Sequence, residues 1–180
     1  LKAQETKLQK FLNQRYQSFI RRQPLDGSES LLQAYQELLG DGSSFGISIS
    51  YQAENGTVSF PDALLEGRDY IGMQSVAVAL GDNVFIGETL RQRMQDAVKR
   101  FQKTKGAVVF SKTVADPREY GVLEFDGSGR IRSLESKPQN PRGNDAVTGL
   151  FFFDANVIEI IEKAKAVAGP SFTLADLLRI

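Results

Sequence analysis

The chain has 180 residues, 41% of them hydrophobic, and its 22 basic and 22 acidic residues give a net charge of zero. This length and composition allow one domain with a substantial core. The chain contains no histidine and no cysteine, which excludes disulfides, thiolate chemistry, histidine-dependent nucleophiles and zinc sites of the usual Cys/His kind. Catalysis is left to carboxylates, lysine and arginine, backbone amides and a hard metal ion.

The apolar runs are short. The longest, near Ser75–Leu80 and Val147–Phe153, fall far below the length that a bilayer requires. Because no signal peptide is visible either, we predict a soluble, cytoplasmic protein. We expect no nucleic-acid partner.

The first predicted element is an amphipathic helix over Leu1–Gln23 that ends before Pro24. Its polar side is basic, since the first 22 residues hold six Lys or Arg and one Glu. We expect its apolar face to pack on the domain, which makes a membrane contact unlikely, with an anionic membrane or a partner protein as the alternatives. This helix and its linker form a separate segment, residues 1–27, before the main domain of residues 28–180.

Two helices and a strand follow. Asp26 and Glu29 are a plausible capping pair for the second helix, which Gly40 ends. Phe45–Tyr51 alternates apolar with small or polar residues, the period of a half-buried strand. Pro61–Tyr70 is predicted to be a short helix, because proline suits a first helical turn.

The rest of the chain alternates strands with helices and includes one hairpin. The predicted elements are strands Ser75–Leu80, Ala107–Phe110, Gly121–Phe125, Ile131–Ser136 and Val147–Phe153, a helix over Glu88–Lys103, and a helix that Asp154 caps and that runs to about Ala166. The turn Asp126–Gly129 is a strong hairpin signal. The pattern predicts an α/β, Rossmann-like fold, with a mixed, mostly parallel sheet flanked by helices.

A carboxylate follows one of these strands directly. The apolar run that starts at Val76 ends in Gly81 and Asp82. In open α/β sheets, ligands bind beyond the carboxyl ends of the strands, where such a carboxylate can hold a metal ion bound to phosphate oxygens. The alternative is a simple turn, in which the Asp side chain accepts hydrogen bonds from nearby backbone amides.

Four blocks follow one another along the chain: Leu38–Ser43, Leu80–Gly87, Asp116–Phe125 and Ala146–Asp154. In this order they resemble the sugar nucleotidyltransferases, and among them the glucose-1-phosphate thymidylyltransferases most. The resemblance implies a nucleotide-diphospho-sugar transferase fold, here incomplete, in an enzyme of nucleotide-sugar and polysaccharide biosynthesis. That family joins a nucleoside triphosphate, here dTTP, to a sugar 1-phosphate and releases pyrophosphate, and its members commonly assemble as homotetramers.

The resemblance also assigns site residues. Asp82 would hold Mg²⁺ against the triphosphate, and Lys137 would bind the sugar phosphate; alone, Lys137 would be interpreted as a solvated lysine at a strand end. These two are the predicted catalytic residues. The predicted substrate-binding residues are Leu80 near the base, Lys137 at the sugar phosphate, and Gly121 and Val147, which match positions lining the sugar pocket. Gly81 and Glu135 are also predicted to bind substrate.

Several positions depart from the family pattern. The front of the chain lacks the loop G-G-x-G-[ST]-R-L-x-P, and because a helix is predicted before Ser28, we expect the front to be replaced or frame-shifted. Ser59 stands for a glycine near the base, Ser136 for glutamate and Phe151 for tyrosine in the sugar pocket. Glu135 could substitute only if its strand turned the other face inward.

Two functions stay open on this basis. The first is a nucleotidyltransferase that makes dTDP-glucose from dTTP and glucose 1-phosphate, with little or no turnover expected from the chain as given. The second is a non-catalytic truncated relative that serves as a sugar-phosphate or partner-binding module.

Overall fold

The computed structural model describes residues 17–22, 29–53, 59–81, 83–103 and 105–179. Contacts within the chain define two units, residues 1–58 and residues 59–180. The predicted division after residue 27 stays a prediction, because residues 23–28 lie outside the described ranges. No helix in the described ranges is long and apolar enough to cross a membrane.

The first unit contains a parallel pair of strands, β1 (Gln17–Arg22) and β2 (Ser48–Ala53), with helix α1 (Glu29–Leu39) between them in sequence. The predicted helix over Leu1–Gln23 is therefore wrong for β1, and the rest of it lies outside the described residues. Pairing with β2 satisfies the β1 backbone through a distant partner, which the local spacing of apolar residues does not reveal. The prediction of a replaced front depended on a helix before Ser28, and β1 removes that support.

Helix α1 agrees with its prediction and ends at Gly40, whose φ is 56°. The hydroxyl of Tyr51 on β2 donates a hydrogen bond to the Gly40 carbonyl oxygen at 2.7 Å. Strand β2 starts later than predicted from Phe45–Tyr51, because Ser43–Phe45 form a 3₁₀ turn.

The second unit is built around a five-stranded sheet. Its strands are β3 (Val76–Ala79), β4 (Ala107–Thr113), β5 (Gly121–Phe125), β6 (Ile131–Ser136) and β7 (Asp145–Phe153), and its helices are α2 (Phe60–Glu66), α3 (Arg68–Ile71), α4 (Leu90–Lys103), α5 (Val157–Ala168) and α6 (Leu174–Leu177). β7 is central, since it pairs with β3, β4 and β5, while β6 pairs with β5. The α/β class is thus confirmed.

The orientation of the sheet differs from the prediction. Every described pair in the five-stranded sheet is antiparallel, so "mostly parallel" is wrong for these strands. β3 and β4 do run in the same direction on either side of α4, as a strand–helix–strand unit should. However, β7 lies between them and runs the opposite way, because both strands pair with Phe151–Phe153 on its two edges.

The core lies where β7 meets the helices. Phe151 and Phe153 are 0% and 2% exposed, and they pack with Ile161 of α5 and Leu64 of α2. The ring of Phe60 contacts that of Phe151 edge-on, with 5.0 Å between the centroids. Burying each such side chain contributes about 1.5–3 kcal/mol, so this cluster fixes β7 against the helices.

Two helix predictions need correction. Pro61–Tyr70 forms two helices rather than one, separated at Gly67. Asp154 does not cap α5 directly; it accepts hydrogen bonds from the amides of Asn156 at 2.8 Å and Gly106 at 2.7 Å. It therefore joins the start of β4 to the turn after β7.

Candidate active site

The candidate site begins at a break along one edge of β7. β4 pairs with the other edge between Asp145 and Phe153, whereas β3 and β5 share this one. β3 pairs as far as Leu150 and β5 as far as Ala146. Neither strand pairs with Val147–Gly149, so this stretch, which we call the edge gap, lies between two strand ends.

Leu80 and Gly81 lie at one side of the edge gap. The amide of Leu80 donates to the carbonyl oxygen of Gly149 at 2.9 Å, and the amide of Asn83 donates to the Leu80 carbonyl at 3.3 Å. The chain therefore turns beside the edge gap. Leu80 is 40% exposed, which leaves its side chain accessible to a ligand. Asp82 lies outside the described residues, so its predicted role is not tested.

Gly121 lies at the other end of the edge gap, beside Val147, the first residue of the gap. A Cβ atom built on Gly121 would lie 3.7 Å from Cγ2 of Val147 and 3.2 Å from Cδ1 of Leu134. A side chain at Gly121 would therefore need Leu134 to shift within a closely packed interior. The two predicted sugar-pocket residues are thus brought together.

Lys137 follows β6 directly and stands next to this group. Its amide donates to the carbonyl oxygen of Tyr120 at 2.9 Å, one residue before Gly121. Lys137 has a φ of 45° and is the one described residue other than glycine at positive φ. Such a backbone costs about 1–3 kcal/mol and often marks a functional position. Its ammonium lies 3.6 Å from Oε2 of Glu119, with both side chains largely exposed.

Glu135 is not brought to the edge gap. Its cross-strand partner is Val122, whereas Ser136 is opposite Gly121, and adjacent strand residues point to opposite faces. Oε1 of Glu135 lies 3.8 Å from Nε of Arg142, whose Nη1 is also 3.8 Å from Glu124. The residue that shares the face of Gly121 is therefore Ser136, which has no charge.

The loop before β5 carries two charges that neutralise each other. The guanidinium of Arg118 donates to both carboxylate oxygens of Asp116 at 2.9 and 2.6 Å. These hydrogen bonds lower the pKa of Asp116 to about 2 and raise that of Arg118. Glu119 is consequently the carboxylate in this loop that is left to face Lys137.

The described residues contain no group of three or more His, Cys, Asp or Glu that could hold a metal ion. Asp82 is the one residue predicted to bind the metal, so the site fits Mg²⁺ only if phosphate oxygens of the substrate supply further ligands. Magnesium is commonly bound in that way, by one or two carboxylates, waters and phosphates.

Two residues of this region were not predicted as site residues. Glu119 could not be assigned, because its contact with Lys137 depends on how the β5–β6 hairpin is placed. Gly149 had a signal, since an isolated glycine within a strand pattern often marks a bulge. The continuous apolar residues on both sides of Gly149 mask this signal in the sequence.

A profile of the nucleotidyl transferase family matches residues 28–179. The chain belongs to the nucleotidyl transferase family. Glucose-1-phosphate thymidylyltransferases of Mycolicibacterium smegmatis and Neisseria meningitidis are 42% and 39% identical to it over 147 residues, or 82% of this chain. The predicted resemblance is thus confirmed. The chain spans about half the length of these relatives, since the matches cover 50% of each.

A solved structure agrees with this family. A Bacillus anthracis protein, provisionally named a glucose-1-phosphate thymidylyltransferase and crystallised with a sucrose, superimposes with a TM-score of 0.72 at 27% identity. The superposition covers 88% of this chain and 61% of that one. This nucleotidyl transferase therefore shares the fold of its solved relative over most of its length.

Proposed function

We propose that this nucleotidyl transferase carries part of a glucose-1-phosphate thymidylyltransferase. The reaction would join dTTP and glucose 1-phosphate to give dTDP-glucose and pyrophosphate, as a step of nucleotide-sugar and polysaccharide biosynthesis. The names of the relatives support this proposal. The observation that carries it is the edge gap, with Leu80 bound to Gly149 at one end, Gly121 beside Val147 at the other, and Lys137 bound to the residue before Gly121.

The chemistry suits the residues that the chain has. A phosphate oxygen of glucose 1-phosphate attacks the α-phosphorus of dTTP, and the bond from that phosphorus to the β-phosphate oxygen breaks, so pyrophosphate leaves. The attacking phosphate is largely ionised at neutral pH, so no base has to remove a proton. Catalysis then consists of positioning and charge stabilisation, which need neither histidine nor cysteine.

Each site residue has a role in this proposal. Lys137 donates a charged hydrogen bond to the sugar phosphate, an interaction worth about 1.5–3 kcal/mol. Gly121 and Val147 form the wall against which the sugar lies, and Leu80 lies near the base. Asp82 would hold Mg²⁺, and the bound ion would offset negative charge on the triphosphate. A cytoplasmic location and a homo-oligomeric state also remain proposals.

A binding-only function is favoured by one observation. Ser136, not a carboxylate, shares the face of Gly121, so a hydroxyl of the sugar would lose a charged acceptor there. Binding and turnover must therefore be measured separately.

The test is calorimetry with glucose 1-phosphate on the 180-residue chain, together with an assay for pyrophosphate release from dTTP. We expect binding, and we expect Lys137→Met to weaken it about tenfold. Lys112→Met is the matched control, because Lys112 is opposite Ala146 and so points away from the face of Val147. Because little or no turnover is expected from the 180-residue chain itself, the pyrophosphate assay is also made on a full-length form. Binding without turnover by that form would favour the binding module, and no binding by the unmodified chain would overturn both functions.

Asp82→Asn extends the same test to the metal. In a full-length form that turns over, we expect this substitution to abolish magnesium-dependent pyrophosphate release. Unchanged turnover would remove Asp82 from the mechanism.

A further inference from the structure

We propose that Gly149 is a positioning residue, which seats Leu80 and Asn83 on β7, and that metal–nucleotide binding through Asp82, two residues after Leu80 in sequence, depends on this seating. This inference rests on the proposed function for the role of Asp82. The seating itself depends only on described contacts around the edge gap.

The first observation is a bulge in β7. Val109 and Ser111 of β4 are two residues apart, but their partners on β7, Phe151 and Val147, are four apart. Three residues of β7 are therefore opposite Phe110 alone. The hydroxyl of Thr148 donates to the Phe110 carbonyl oxygen at 2.8 Å, so a side chain bridges the irregularity in the ladder. Bulges of this kind bend a strand and occur next to active sites.

The second observation is the backbone of Gly149, within this bulge. Its φ is 75°, a conformation that residues with a Cβ atom adopt at a cost. In this conformation its carbonyl oxygen accepts the hydrogen bond from the Leu80 amide. The end of β3 is thereby joined to the open edge of β7.

The third observation is how closely the turn approaches. A Cβ atom on Gly149 would lie 2.8 Å from Nδ2 of Asn83 and 3.1 Å from both Cβ and Cδ1 of Leu80. The Asn83 amide is the end of a side chain and could rotate away. The Cβ of Leu80 is fixed to its backbone, so the turn itself would have to move. Gly149 therefore provides the space that Leu80 and Asn83 occupy beside β7.

The chain offers a matched control. Gly129, in the β5–β6 turn, has a φ of 79°, but a Cβ atom there would meet nothing within 4 Å. Gly149→Ala and Gly129→Ala thus both place an alanine at a similar positive φ, and only the first pushes against Leu80. Thr148→Val, which keeps the shape and removes the hydroxyl, tests the bulge if Gly149→Ala does not fold.

The experiment is amide hydrogen exchange by NMR on the full 180-residue chain, followed by titration of the same variants with Mn²⁺ and dTTP. We expect Gly149→Ala or Thr148→Val to speed exchange of the Leu80 amide about tenfold. Gly129→Ala should change the exchange rate of the Leu80 amide by no more than about twofold, because a Cβ atom at Gly129 meets nothing within 4 Å. If the unmodified chain binds Mn²⁺ together with dTTP, Gly149→Ala should also weaken that binding about tenfold. The readout is the fraction of Mn²⁺ that is bound.

The outcomes separate the two proposals. Equal exchange in the two alanine variants would overturn the seating. Faster exchange with unchanged Mn²⁺–dTTP binding would overturn the positioning role. If the unmodified chain does not bind Mn²⁺ with dTTP, the proposed role of Asp82 fails, and exchange alone decides whether Gly149 seats the turn.

Discussion

Two regions of the second unit use apolar residues in opposite ways. On β7, Phe151 and Phe153 are 0% and 2% exposed, whereas in the segment that follows β3, Val84 and Ile86 are 84% and 90% exposed. Packing against several elements holds the strand, while hydrogen bonds at Leu80 hold the start of the segment. Segments with few buried contacts open at low free energy. β7 is therefore the tightly packed part of the candidate site, and the segment after β3 is the part that opens at lower free energy.

The largest expected effect comes from replacing isoleucine by alanine in the core around β7, compared with the same replacement in the exposed segment after β3. Ile161→Ala removes a side chain that is 0% exposed and packs in the core around Phe151, so we expect about 2–5 kcal/mol less stability. Ile86→Ala removes one that is 90% exposed, and it should change stability by less than about 0.5 kcal/mol. Urea denaturation measures both. A large loss in Ile86→Ala would show that the segment is packed after all.

The next prediction concerns the face of the β5–β6 hairpin that carries Gly121 and Ser136. Ser136→Glu places a carboxylate opposite Gly121, where a sugar hydroxyl would find it, so we expect affinity for glucose 1-phosphate to rise about tenfold. Glu135→Gln should leave that affinity unchanged, because Glu135 contacts Arg142 on the other face. Calorimetry on both variants decides which face binds. A loss in Glu135→Gln instead would reverse the assignment.

A smaller effect is expected at the exposed end of the site. Glu119 lies 3.6 Å from the Lys137 ammonium and competes there with an incoming phosphate. Since exposed ion pairs are worth about 0.2–1 kcal/mol, Glu119→Gln should raise affinity for glucose 1-phosphate about two- to threefold at low salt. The gain should fade as salt is added.

Glu162→Gln, an exposed glutamate of α5, removes the same charge elsewhere and is the control for Glu119→Gln. The competition is ruled out if both variants bind glucose 1-phosphate equally.

The smallest effect is a pH dependence in the loop before β5. Arg118 holds the pKa of Asp116 at about 2, below the value of about 3.9 in an unfolded chain. The pair therefore stabilises the fold fully above the unfolded pKa, and this contribution is lost as the pH falls from there through about 2. In urea titrations the difference between the unmodified chain and Asp116→Asn should be constant above about pH 5 and shrink towards pH 2. A constant difference down to pH 2 would contradict the lowered pKa.

Features with a local cause were predictable from the sequence. The Asp126–Gly129 turn defines the β5–β6 hairpin, and the carboxylate of Asp126 accepts hydrogen bonds from the amides of Ser128 and Arg130. Helix α1 likewise ends at its predicted glycine. The information for these features lies within a few residues of chain, so a sequence pattern can report it.

Features with a distant cause were not predictable. Gln17–Arg22 has helical spacing of its apolar residues but pairs with β2, and antiparallel β7 lies between β3 and β4 in a sheet that was predicted to be mostly parallel. Both outcomes depend on partners far along the chain. In the candidate site, Gly121, Val147 and Lys137 came from the family resemblance, whereas the positive φ of Lys137 and the face of Glu135 needed the register of β5 and β6.

The central place of β7 also has a consequence for how the protein is made. β7 is the last described strand in sequence, yet β3, β4 and β5 are all joined to it in the sheet. During synthesis, the edges of β3, β4 and β5 that pair with β7 stay unpaired until Asp145–Phe153 leaves the ribosome. Unpaired strand edges promote aggregation. A nascent chain halted before Asp145 should therefore depend strongly on chaperones, and one released after α5 should not.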